Sequence, residues 1–263
     1  MVFDDSKFLY ESDLLKVKQR YCGDSFDKNI KIARYMEFKK FKDMLEMKSI
    51  YFSNIEKFDD NKERTIPKGF FRNHSIDQIK SRNMLEQIKD DKYKSYVSCW
   101  TEYGGENYSF WRIYTPQHDG VCIICDFKKL YEQFNNNYII PYKVEYVDFN
   151  DNEFKIDLPW LYVKDDNFQQ NYVLRIKEKY KIYPYKDERE IRFLAFYEKR
   201  SNIVPDGCLV KVKNFDWIED IMISPFAKEE TEDKIISLAL QHGIQKSKIK
   251  YSVIDESAKA EEK

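Results

Sequence analysis

Between Tyr185 and Phe196 the chain reads Tyr185-Lys186-Asp187-Glu188-Arg189-Glu190-Ile191-Arg192-Phe193-Leu194-Ala195-Phe196, a charged run that turns apolar without a break. Read as one strand, it puts Glu188, Glu190 and Arg192 on one face and Arg189, Ile191 and Phe193 on the other, because successive side chains alternate. Charge carried into a domain interior must be paired or solvated, since burying it alone is far more costly than burying an apolar group. The competing reading is an edge strand with its charges in solvent. The apolar continuation favours a central strand whose charged row lines a cleft, where the side chains pair or meet a ligand.

Composition narrows the partners. The 45 basic and 46 acidic residues leave a net charge of -1, so nothing draws the chain as a whole to nucleic acid or to an anionic membrane. No apolar stretch is long enough to cross a bilayer, and the start, Met1-Val2-Phe3-Asp4-Asp5, is acidic where a signal peptide is basic. A cytoplasmic protein with no membrane partner is expected. Five scattered cysteines, Cys22, Cys99, Cys122, Cys125 and Cys208, fit reduced thiols. Cys122 and Cys125 lie in a strand-like run that points them to opposite faces, which argues for core packing over redox or zinc chemistry. His74, His118 and His242 form no ligand spacing, and no metal is expected.

The pattern along the chain is that of a mixed α+β protein with many short strands and one domain. Residues 1–29 form a polar lead with a helical stretch at 11–20, and residues 255–263 read as a disordered tail. Between them, strands are expected at 30–35, 49–53, 96–101, 120–126, 139–147, 185–196, 208–212, 218–223 and 249–253. Helices are expected at 36–47, 76–89, 108–114, 168–180 and 229–242, the last closed by Gly243.

Three blocks carry a resemblance. The first is Ile32-Ala33-Arg34-Tyr35, then Ile50-Tyr51-Phe52-Ser53-Asn54 with Phe58-Asp59-Asp60 and Glu63. The second is Val97-Ser98-Cys99-Trp100 with Phe110-Trp111-Arg112-Ile113-Tyr114 and His118-Asp119-Gly120-Val121-Cys122-Ile123. The third is the charged segment with a trailing Ile221-Met222-Ile223-Ser224-Pro225. Their order resembles the bacterial family known as domain of unknown function 2971, over roughly residues 30–254. One departure is that Asp59-Asp60-Asn61 stands where the family usually shows Asn-Asp-Pro.

The layout is more distantly similar to the ADP-ribosyltransferase fold, a single domain with a split β-sheet core and flanking helices. That resemblance implies a role for each matching residue. Arg34 would hold the pyrophosphate of NAD, for which a planar guanidinium is well matched. Ser53, followed by Asn54, would steady the ribose. Glu190 would stabilise the oxocarbenium character that develops as the nicotinamide bond breaks, and Glu188 would position or deprotonate the acceptor. Tyr35, Phe58, Trp100 and Trp111 are candidates to wall in the nicotinamide ring, with core packing as the alternative for each. Arg192 either contacts the dinucleotide or forms a salt bridge with Glu188 or Glu190, Arg34 either meets phosphate or pairs with an acid, and Ser53 either meets the ribose or caps its turn.

The function these readings imply is an NAD-dependent ADP-ribosyltransferase, a toxin or antiviral effector that modifies RNA, DNA or protein, with NAD as substrate and an antitoxin or regulatory protein as a further partner. A second reading is a nucleotide-binding sensor module without turnover. A third is a magnesium-dependent nuclease on Asp59, Asp60, Glu63, Glu188 and Glu190.

Overall fold

A computed structural model describes residues 29–58, 60, 93–134, 139–151, 161–164, 170–173, 179–198 and 205–254. The chain is mixed α/β, built on a mostly antiparallel sheet with a few helices. It opens with β1 (Lys31–Glu37), α1 (Phe38–Glu46) and β2 (Ser49–Asn54), followed by a single 3-10 turn at Ile55–Lys57. Next come β3 (Tyr93–Glu102), α2 (Tyr108–Tyr114), β4 (Gly120–Asp126) and α3 (Phe127–Tyr131). Short strands follow: β5 (Ile140–Lys143), β6 (Glu145–Val147), β7 (Leu161–Lys164), β8 (Gln170–Val173) and β9 (Tyr180–Ile182). A 3-10 segment, Tyr183–Glu188, leads into β10 (Glu190–Glu198). The chain then runs through β11 (Gly207–Lys211), β12 (Ile218–Ile223), α4 (Glu229–Gln241) and β13 (Ile249–Tyr251).

Most expected elements are present within a few residues, and two readings are corrected. The helix expected at 168–180 is interrupted by a strand: Gln170–Val173 pairs antiparallel with β7, Tyr162 opposite Tyr172, and Tyr180 opens β9, while residues 168–169 and 174–178 lie outside the described residues. Local periodicity over so short a run suits either state, and pairing with a remote strand decides it. The charged strand, expected from Tyr185, begins five residues later at Glu190, because Tyr183–Glu188 forms a 3-10 segment and Arg189 turns left-handed at φ 44°. The helices expected at 11–20 and 76–89 and the tail at 255–263 lie outside the described residues.

Contacts group the chain into two units. One comprises Asp27–Tyr51, Cys99–Asn135 and Leu209–Lys263. Within it β1 pairs antiparallel with β4, Arg34 opposite Ile123 and Tyr35 opposite Cys122, and β4 pairs antiparallel with β12, which takes β13 in parallel. Every residue of β4 before Asp126 is buried, which is why Val121-Cys122-Ile123-Ile124-Cys125 is apolar throughout and not alternating. The helix α1 presses Phe41, Met44 and Leu45 inward at helical spacing and packs on β1 and β4. Two helix starts are capped as their residues imply. The Asn107 side chain accepts from the Phe110 amide at 3.3 Å, and Asp126 accepts from Lys129 at 3.0 Å. Gly243 closes α4 in the left-handed region at φ 79°, where glycine meets no steric penalty.

The other unit comprises Met1–Phe26, Phe52–Ser98 and Asn136–Cys208. Here β10 pairs antiparallel with β5, Arg192 opposite Tyr142, and also with β3, so it is flanked on both sides as its apolar half requires. The residues of β10 from Glu190 to Ala195 are all buried. β6 and β9 run parallel, Tyr146 opposite Lys181.

At Gly120 the first residue of β4 passes so close to its neighbours that a Cβ would sit 2.2 Å from Thr115 Cγ2 and 2.5 Å from the Met36 carbonyl oxygen. Both obstacles are fixed, Thr115 by its hydroxyl bond to Trp111 and Met36 by the β1 ladder. Gly120→Ala is therefore expected to cost about 2–3 kcal/mol of stability, read as a loss of denaturation midpoint in urea.

Cys122, Cys125 and Cys208 are buried, and burial pushes the first two thiols up and that of Cys208 to about 12. A thiol that holds its proton more tightly folded than unfolded contributes stability that is complete below the ordinary thiol value and drains as the pH climbs to the folded one. The melting temperature is expected to hold up to about pH 8.5, the ordinary thiol value, and to fall beyond it. Cys208→Ala should make the decline shallower toward about pH 12, the point at which the Cys208 thiol itself titrates.

Candidate functional site

The charged segment supplies a compact cluster. Arg192 has no exposed surface, and it donates from Nε to Glu190 Oε1 at 2.8 Å and from Nη2 to Glu190 Oε2 at 2.9 Å. A two-pronged pair of this kind satisfies both carboxylate oxygens in the plane the guanidinium prefers. Lys181, reached from β9, lies 2.7 Å from Glu188 Oε2 and 3.5 Å from Glu190 Oε2. Its ammonium also sits 4.5 Å from the centre of the Tyr185 ring. Two acids and two bases bring the formal charge to zero, the condition under which ions tolerate burial.

Backbone contacts hold the cluster in place. The Glu190 amide donates to the Tyr146 hydroxyl at 2.8 Å, and the Glu190 carbonyl accepts from Val144 at 2.9 Å. Burial raises the Tyr146 phenol above its ordinary pKa, the nearby Glu190 and Glu188 charges acting the same way, so the phenol stays protonated at neutral pH. Glu188 and Glu190 reach the same ammonium through the left-handed Arg189 between them, not through strand alternation. That conformation costs a non-glycine residue about 1 kcal/mol, a strain commonest at functional positions.

Of the other site residues in this unit, Phe58 is half-buried with its ring centre 5.9 Å from the Arg192 guanidinium carbon. Ser53 is half-buried on β2, opposite Val97. The turn after β2 is capped by its neighbour: Asn54 accepts from the Glu56 amide at 3.0 Å and donates to the Pro205 carbonyl at 3.3 Å. The Asn54 side chain is thus spent on holding the chain.

In the unit containing β1, Arg34 is half-buried with its guanidinium carbon 5.8 Å from the centre of the Trp100 ring, and burial lowers its pKa from the ordinary arginine range. Tyr35 and Trp111 meet edge to face at 4.8 Å in a cluster with Ala33, Phe110, Cys122, Ile124 and Met222. The Tyr35 hydroxyl accepts from the Asn107 amide at 3.0 Å, and Trp111 donates from its indole nitrogen to Glu106 at 2.6 Å. Trp111 has no exposed surface, so its ring is core and presents no face to a nicotinamide. Glu106 also accepts from the Ser252 hydroxyl and, at 2.9 Å, from the Val253 amide, which fastens the chain after β13.

Lys181, Tyr146 and Glu106 were not singled out by their sequence. Lys181 stands among Lys177, Lys179 and Lys186, all lysines in a polar run, and only the β6–β9 pairing lifts it into the interior. Among the described residues no group of three or more His, Cys, Asp or Glu side chains is placed to hold a metal ion. Asp59 and Glu63, two of the acids considered for magnesium, lie outside those residues.

Comparison with known proteins adds one likeness. The model of the family described as "Protein of unknown function (DUF2971)" matches residues 110–193, which run from α2 to Phe193 of β10. The match supports the resemblance seen in the second and third blocks, and it takes in Trp111, Glu188, Glu190 and Arg192. Arg34, Ser53, Asn54 and Phe58 precede it. No curated protein and no solved structure matches the chain.

A buried ion pair is most sensitive to losing one partner, because the other charge then has no compensation. Arg192→Met is expected to destabilise the protein by about 3–5 kcal/mol, whereas removing both charges in Arg192→Met with Glu190→Met should cost less than the single change. Urea unfolding of the two singles and the double measures the coupling directly.

Proposed function

We propose that this chain is an NAD-dependent ADP-ribosyltransferase acting in the cytoplasm as a toxin or antiviral effector, with RNA, DNA or protein as acceptor. The observation that carries the proposal is the gathering of Glu188 and Glu190 on one ammonium at the head of a buried strand, both acids inside the stretch that resembles the family. Carboxylates fixed in this way suit a glycosyl transfer, in which positive charge grows on a ribose as its bond to the base lengthens. In the reaction the bond from the ribose C1′ to the nicotinamide nitrogen breaks, and its electron pair leaves with neutral nicotinamide. A lone pair on the acceptor forms the new bond to C1′, and the acceptor's proton passes to a carboxylate and on to solvent. Arg34 is assigned to the pyrophosphate on the strength of the resemblance to the ADP-ribosyltransferase fold alone, and a neutralising protein partner would accompany a toxin.

One observation favours the runner-up, a binding module without turnover. Glu190 is 5% exposed with both oxygens turned onto Arg192, so the acid assigned to the oxocarbenium presents little surface to a ribose.

The test uses NAD labelled in the adenosine half, mixed with cellular RNA, DNA or protein, with nicotinamide release followed alongside label transfer. Wild-type protein is expected to produce both. Glu188→Gln combined with Glu190→Gln is expected to lose about 100-fold or more, the scale of removing a preorganised electrostatic contact to a transition state. Absence of both signals from folded wild-type protein overturns the proposal, and calorimetric binding of NAD without nicotinamide release would establish the binding module in its place.

A further inference from the structure

We infer that, within this pair of acids, Glu188 is the one that meets the ligand, while Glu190 is a positioning residue that acts through Lys181. The inference rests on the proposed site and reverses the assignment that spacing alone suggests.

Glu190 is committed on every side. Its two oxygens accept from Arg192 at 2.8 and 2.9 Å, its amide donates to the Tyr146 hydroxyl at 2.8 Å, and its carbonyl accepts from Val144 at 2.9 Å. Only 5% of its surface is exposed, and Arg192 has none. That enclosure leaves a ribose hydroxyl little surface from which to approach the Glu190 carboxylate. Glu188 differs in exposure. Its side chain keeps 23% of its surface in solvent, and it closes a 3-10 segment that also exposes Tyr183 and Lys186.

Lys181 links the two acids. Its side chain is only 9% exposed, and the ammonium is pinned by Glu190 at 3.5 Å and by the Tyr185 ring at 4.5 Å while it holds Glu188 at 2.7 Å. The order Arg192, Glu190, Lys181, Glu188 is a chain of alternating charge that runs from the interior to the surface and ends on the most exposed member. A partly exposed carboxylate held by a buried ammonium is preorganised for a group that donates hydroxyls and gains positive charge, as the nicotinamide ribose does.

Carbodiimide activation of folded wild-type protein in the presence of glycinamide, followed by peptide mass mapping, tests the division of roles without requiring turnover. Modification of Glu188 is expected at least tenfold faster than that of Glu190, scored as the glycinamide adduct or as an isopeptide to Lys181. Saturating NAD should slow modification at Glu188. In the kinetic arm, Glu188→Gln is expected to lose about 100-fold in kcat with its NAD Kd within threefold of wild type. Lys181→Met should lose kcat without raising KM, and Lys181→Arg should restore part of the loss, which a merely structural lysine would not require. Equal or faster labelling of Glu190 overturns the inference, as does a Glu188→Gln protein with wild-type turnover beside a folded Glu190→Gln protein without it. Selective labelling of Glu188 with no protection by NAD and no nicotinamide release supports the division of roles and removes the NAD reading instead.

Discussion

A fully buried arginine is the constraint around which the charged segment is organised. Arg192 sits within an apolar strand, and the cost of removing a guanidinium from water is offset only by a partner of opposite charge with matching geometry. Glu190 supplies it from the same face of the same strand, two residues away, so the pair needs no long-range coincidence. Its consequence reaches further. With both Glu190 oxygens occupied, the remaining charges, Lys181 and Glu188, are arranged by electrostatics toward the surface. Glu188 is the most exposed member of that series.

A carboxylate has a comparable organising role in the unit containing β1. Glu106 gathers donors from the Trp111 indole, the Ser252 hydroxyl and the Val253 amide, joining the lead into α2 to the chain that follows β13. Trp111 and Tyr35 are thereby held as framework. Their aromatic faces pack on Cys122, Ile124 and Met222, and the close passage of Gly120 beside Thr115 leaves α2 and β4 no slack. Three residues grouped by sequence as candidates for ligand contact, Tyr35, Trp111 and Asn54, thus have their polar atoms engaged within the protein itself.

Legibility followed the range of the deciding interaction. Elements governed by their own residues were readable: α2 at Tyr108–Tyr114, β4 with its unbroken apolar run, and α4 with Gly243 at its end. The Glu190–Arg192 pair was readable only as one of the alternatives the sequence left for Arg192, since the two share a face of one strand. The strand at Gln170–Val173 was not, because its state depends on a partner around ten residues away and its own periodicity suits a helix equally well. Nor was the left-handed turn at Arg189, since no glycine or asparagine announces it.

What the sequence by itself determined is the set of charges and their order along the chain: Glu188, Glu190 and Arg192 at every second position, followed by an apolar run. What only the tertiary structure decided is which remote base joins the two acids. A lysine among many polar lysines became a buried bridge because β9 lies beside β6, with Lys181 opposite Tyr146. Sequence separation carries no information about which remote ammonium enters a low-dielectric site, and there the nearest partner and the remaining exposure set each carboxylate's role.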